Sequence, residues 1–153
     1  MSIFTPKSDK PESPQYPYPY LVIQSEAEAM KVVERWQKIL RVQDWDIRIH
    51  RGRNRDGDGV YAQIRTYRTL GTAKLFLVDW IDISETADPS WFDQEQAIVH
   101  ELVHVAMDNL EDPERDTPQY NAMERFVDQM ACTLVKMDRD RRGIPDMEFY
   151  RQP

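Results

Sequence analysis

The chain has 153 residues, 41% hydrophobic and 31% charged, enough for one globular domain that buries about two-thirds of the surface its unfolded form exposes. No apolar run approaches the ~20 residues needed to span a bilayer, and a net charge of −7 disfavours non-specific binding to nucleic acid or to anionic membranes. The single Cys132 excludes an internal disulfide and no hydrophobic signal core is present, so a cytoplasmic location is expected.

Residues 1–20 hold five of the ten prolines and several tyrosines, which predicts an extended arm packing through Tyr16, Tyr18 and Tyr20. Ser25 and Glu28 match a capping box. Ala29, Val32, Val33, Trp36, Ile39 and Leu40 follow at helical spacing, so the spacing predicts an amphipathic helix over 25–41. From Trp45 the period becomes two: Trp45, Ile47 and Ile49 alternate with Asp46, Arg48 and His50, the pattern of a half-buried strand. "VYAQIRTY" and "TAKLFLVDW" read as two more strands, and their short links favour an antiparallel meander.

Residues 82–92 read as a loop ending at Asp93, a cap with Gln96 three residues later. The run to about Asn109 is apolar almost all round and predicts a buried helix. Thr117 and Pro118 then start a last helix reaching about Met137, with Ala122, Phe126, Val127, Met130, Ala131, Leu134 and Val135 on its apolar side. Cys132 reads as a small packed residue on that helix. The expected organisation is an arm over 1–20, an α+β domain over 21–138 with helices against a three-stranded antiparallel sheet, and a tail over 139–153.

Within the buried helix, "AIVHELVHVAM" sets His100, Glu101 and His104 among eight apolar residues. Buried ionisable groups are costly unless they are paired or bind a metal. Residues i and i+4 of a helix lie about 40° apart around the axis and about 6 Å along it, so one cation can join both imidazoles. Imidazole suits zinc, which takes three protein ligands and a water at a catalytic site. Glu101 projects about 100° away from His100, and is placed instead to act as general base on a metal-activated water; this is the physical content of H-E-x-x-H, and peptide hydrolysis is its natural outcome. The bland alternative is a histidine pair satisfied by hydrogen bonds alone.

The third ligand must come from elsewhere. His50 lies on the polar side of its strand and reads as a surface residue. Metzincin sites need glycine three and histidine six residues after the second histidine, where this chain has Met107 and Leu110. Glu124, on the next helix, is the leading candidate. Asp128, one turn further, can hold an imidazole from outside the ligand set. Asp108 is the rival as third ligand or supporting carboxylate.

With "HELVH" at 100–104 and "ERFVD" at 124–128, the chain resembles the zincins, specifically gluzincins related to thermolysin in the small form often encoded by phages and prophages. The resemblance spans roughly residues 97–131. It implies a zinc peptidase acting on peptide or protein substrates, with one Zn2+ per chain, His100, His104 and Glu124 as ligands, Glu101 as base and Asp128 as orienter. Met123 stands where relatives often have asparagine. No histidine remains as transition-state donor, a part that Tyr61, Tyr67 or Tyr120 would have to take. In zincins the substrate lies along an edge strand above the metal; "GTAKLFLV" reads here either as that strand or as an ordinary internal one.

"NRDGDG" offers Asn54, Asp56, Asp58 and Gly59 at the first, third, fifth and sixth positions of a calcium loop, but position twelve is Arg65 rather than glutamate. A turn between strands accounts for it. Two other readings compete with the peptidase: a zinc-binding regulatory protein without catalysis, and a SprT-like protease recruited to nucleic acid through Arg51, Arg53 and Arg55.

Overall fold

The computed structural model describes residues 23–52, 62–78, 93–108 and 113–144. The proline-rich arm, Tyr61, Arg53, Arg55, the NRDGDG turn, the 82–92 loop and the last part of the tail lie outside these residues.

Helix α1 spans Glu26–Leu40; Ser25 Oγ accepts from Glu28 N at 3.1 Å, and Glu28 returns a bond to Gln24 N at 3.0 Å. The return bond reaches the residue before the cap, a variant of the reciprocal capping box. Arg41, in the left-handed region at φ 58, ends the helix. Strands β1 (Asp46–Gly52), β2 (Ala62–Tyr67) and β3 (Thr72–Val78) follow, with a 3-10 turn at Arg68–Leu70 and Gly71 at φ 60 closing the β2–β3 hairpin. A side chain at Gly71 would be strained by that backbone angle. Helix α2 runs Gln94–Ala106 and α3 runs Pro118–Arg141, capped by Asp93 and Thr117 as their spacing predicts.

The architecture is α+β, but the sheet is mixed rather than an antiparallel meander. Its order is β1-β3-β2, with β1 parallel and β2 antiparallel to β3. The hairpin rule holds for β2 and β3, where the link is short. Between β1 and β2 the link is longer and fixes no pairing. β3 buries Ala73, Leu75, Leu77 and Val78, and takes the middle position, where both backbone edges are bonded. It is therefore an internal strand, the second of the two readings its sequence allows, and its reading as the substrate strand is corrected: among the described residues β2 and β1 form the edges.

The helices pack against one face of this sheet. Ile47, Ala73, Leu75 and Leu77 meet Val33, Trp36, Ile98, Leu102, Val127 and Ala131 in one core. α2 lies between α1 and α3 and also touches β2. This explains its nearly all-round apolar surface.

Helix α3 runs a turn past the expected end at Met137. Its last turn buries Asp138 and Arg139, which an apolar pattern does not register. Arg139 donates to Asp93 at 2.6 and 2.9 Å and to Glu95 Oε2 at 2.8 and 3.2 Å. Burial opposes its charge, but the two carboxylates more than offset that and hold the guanidinium ionised. Glu95 also accepts from Trp36 Nε1 at 2.9 Å. Asp138 pairs with Arg35 and with Arg142; burial pushes its carboxyl up, and these cations outweigh that, holding it below the usual range. Gln94, fully buried beside Glu95, accepts from Ile23 N at 2.6 Å and donates to Val78 O at 3.1 Å. Cys132 is exposed, not packed: the buried stripe runs through Val127, Ala131 and Val135, and Cys132 sits about 100° from Ala131 around the helix. No helix among the described residues is long and apolar enough to cross a membrane.

Candidate metal centre

Helix α2 presents His100 and His104 one turn apart, with ring centroids 5.1 Å apart and planes at 64°. Helix α3 crosses beside them, and its face carrying Tyr120, Glu124 and Asp128 at successive turns meets the imidazoles. Glu124 reaches both rings: Oε2 lies 3.3 Å from His100 Nε2 and Oε1 lies 3.1 Å from His104 Nε2. One ligand atom from each of the three residues falls within 4.8 Å of the others. Asp128 Oδ1 stands 3.7 Å from His100 Nδ1, the ring nitrogen turned away from the cluster. That separation exceeds a hydrogen bond, yet it puts a carboxylate on the side from which metal-bound imidazoles are commonly oriented.

The donor set fits a divalent cation. Zn–N and Zn–O bonds of about 2.0–2.1 Å in a tetrahedron place neighbouring donors about 3.3 Å apart; each Glu124 oxygen lies near that distance from one imidazole, Oε2 from His100 and Oε1 from His104, and one atom from each residue falls within 4.8 Å of the others. Calcium and magnesium favour all-oxygen sets, so two imidazoles with one carboxylate suit a divalent transition-type metal ion better.

Glu101 does not join the cluster. Its Oε2 accepts from the backbone N–H of Ile64 on β2 at 3.0 Å. Burial pushes its carboxyl up to about 8, against the lowering effect of the Ile64 bond, and nearby Glu124 raises it further. It lines the same cavity of about 260 Å³ as His100, His104, Glu124 and Tyr120. Of the three tyrosines considered as donors, Tyr120 lies in this cavity, whereas Tyr67 stacks near Lys74 and Tyr61 is outside the described residues. Burial, and then the charge of Glu124, raises the Tyr120 phenol.

Asp108 lines the cavity but its carboxylate is engaged elsewhere. Oδ1 accepts from Thr66 Oγ1 at 3.0 Å and meets Arg68 Nε at 3.0 Å. It ties the end of α2 to β2 and stands outside the metal cluster. His50 is exposed on the far face of the sheet, beside Phe76. Arg51 turns toward Ile23 O at 3.5 Å. The Ile64 N–H, Thr66 and Arg68 carry no signal in one strand's periodicity. They become relevant through the packing of β2 on α2.

Comparison of the chain with known protein families, with curated proteins and with solved structures finds no match.

Proposed function

We propose that the protein is a zinc-dependent peptidase of the zincin type, in its gluzincin form. The observation that carries this reading is the convergence of His100, His104 and Glu124 on one point while Glu101, next in sequence to the first ligand, stands in the same cavity outside the cluster. When bound, zinc supplies Lewis acidity: it lowers the pKa of a water to about 7 and polarises a carbonyl.

The chain's residues do the rest. Glu101 takes the proton from the attacking water and returns it to the leaving amine. The Ile64 N–H holds one of its oxygens, which fixes the carboxylate and leaves the other for the proton. Tyr120, with its proton retained by a raised pKa, is placed to donate to the charge that develops on the substrate carbonyl. Asp128, 3.7 Å from His100 Nδ1, would orient that ring by closing to hydrogen-bond distance when the metal is bound. Among the described residues no strand pairs with the outer edge of β2, and apart from the Ile64 N–H held by Glu101 that edge receives the substrate as an added strand.

The test is metal analysis of purified protein with turnover of a quenched-fluorescent peptide library. Zinc near one equivalent, lost in Glu124→Ala, with a metal-retaining and inactive Glu101→Gln, is the expected result. Full turnover in Glu101→Gln, or zinc content unchanged in Glu124→Ala, overturns the assignment.

A further inference from the structure

The sheet face opposite the helices carries an ordered set of cations. The two strand registers put Arg48 beside Lys74 and Lys74 beside Arg65, so three cationic side chains form one row across β1, β3 and β2. All three are exposed. Like charges side by side on neighbouring strands are destabilising. Among the described residues local compensation is slight: Asp46 meets Arg48 at 3.3 Å with both side chains mostly in solvent, and Lys74 Nζ lies 5.9 Å from the Tyr67 ring centre. Arg65 makes no ion pair among the described residues. On a chain of net charge −7, such a row runs against the overall balance, and an anion seated on it would relieve the repulsion.

The row is continuous with the metal centre. A hollow of about 670 Å³ on this face, lined by the three cations and by Phe76 in the next row, shares Gln63, Ile64 and Arg115 with the cavity that holds His100 and Glu124. A peptide added along the β2 edge would alternate its side chains between the two sheet faces. Those on the outer face would stand beside Gln63 and Arg65, with Lys74 and Arg48 behind. The row runs across the strands, so a peptide along β2 meets it at one register position, where Arg65 borders the added strand and Lys74 and Arg48 recede by one and two inter-strand spacings of about 4.8 Å; its length of about 10 Å is short for a nucleic-acid track.

We propose that the substrate is an acidic peptide segment, with a carboxylate on the outer face held beside Arg65 and the charges of Lys74 and Arg48 behind it favouring further acidic neighbours. This rests on the peptidase reading. The experiment uses three labelled peptides in which valine alternates with glutamate, glutamine or lysine. Binding is measured by fluorescence anisotropy to the Glu101→Gln protein with zinc, and cleavage with the wild type. The glutamate peptide is expected to bind at least tenfold more tightly than the glutamine one at low salt, with the advantage falling as salt rises. The double reversal Arg65→Glu with Lys74→Glu is expected to transfer the preference to the lysine peptide, an outcome that a misfolded variant cannot produce. Equal binding of the glutamate and glutamine peptides overturns the proposal, as does an oligothymidylate that binds where the glutamate peptide does not. Equal cleavage of all three peptides leaves the peptidase reading standing and removes the acidic preference. Selective binding of the glutamate peptide without cleavage of any peptide does the reverse.

Discussion

Helix α2 has a polar cluster toward each end, and each contains a glutamate set into apolar surroundings. Near the start, Glu95 is 1% exposed and meets Arg139, Trp36 and Arg35, while Arg139 also grips Asp93. Two turns on, His100 and His104 face Glu124, while Glu101 turns to Ile64 of β2 in the same cavity. The first cluster contains its own cations, and its carboxylates hold the Arg139 guanidinium charged. The second gathers two carboxylates and two imidazoles, and Glu101 is pushed toward neutrality. Burial is common to both. What separates them is whether the chain supplies the positive charge, and the second cluster draws it from a metal ion in the function proposed here.

The largest expected contrast is catalytic. Glu101→Gln should lower kcat/KM by about 10²–10⁴ with zinc content unchanged, read by peptide turnover and metal analysis. A metal-retaining variant of normal activity would place proton transfer elsewhere.

Arg139→Ala should cost about 3–5 kcal/mol in urea unfolding, because it leaves Glu95 buried without its main cation. Zinc should not restore that loss. Glu95→Gln combined with Arg139→Met should recover part of it, since the uncompensated charge is then gone.

Added zinc should stabilise the wild type by about 2.7 kcal/mol at a free concentration one hundred times Kd. His104→Ala should lose most of that gain, whereas Arg139→Ala should retain it. Thermal melts with and without zinc separate the two ends by this criterion.

The smallest effects are in pH dependence, and they have opposite signs. Asp138 has a lowered folded pKa, so its contribution is present above the unfolded value of about 3.9 and is lost as pH falls through the folded one. Arg35→Met should flatten that acid limb. Glu101 has a raised folded pKa, so in metal-free protein its contribution is complete below 4.5 and is lost as pH rises toward about 8. Glu101→Gln should abolish this second slope, and a slope that persists would assign it to another group.

Local patterns were readable from the chain, and long-range partners much less so. Ser25, Asp93 and Thr117 mark three helix starts because a cap bonds a backbone N–H three residues on. Alternation at Ile47 and Ile49 locates β1, but pairing order depends on which strand buries both neighbours, and β3 took the centre. Asp138 and Arg139 look like surface residues in sequence; their burial rests on partners at Arg35, Asp93 and Glu95, distant along the chain. The helical spacing of His100 and His104 follows from one element. The approach of Glu124 depends on how α3 crosses α2, and that crossing is encoded in no single helix.

Gln94 links regions that are far apart in sequence. Through one side-chain amide it bonds Ile23, before α1, and Val78, at the close of β3. The Ile23 amide, though outside regular structure, should therefore resist hydrogen exchange as a core strand does. Gln94→Ala should release both seams together, so that protection falls at the entry to α1 and at the far end of the central strand in a single cooperative step.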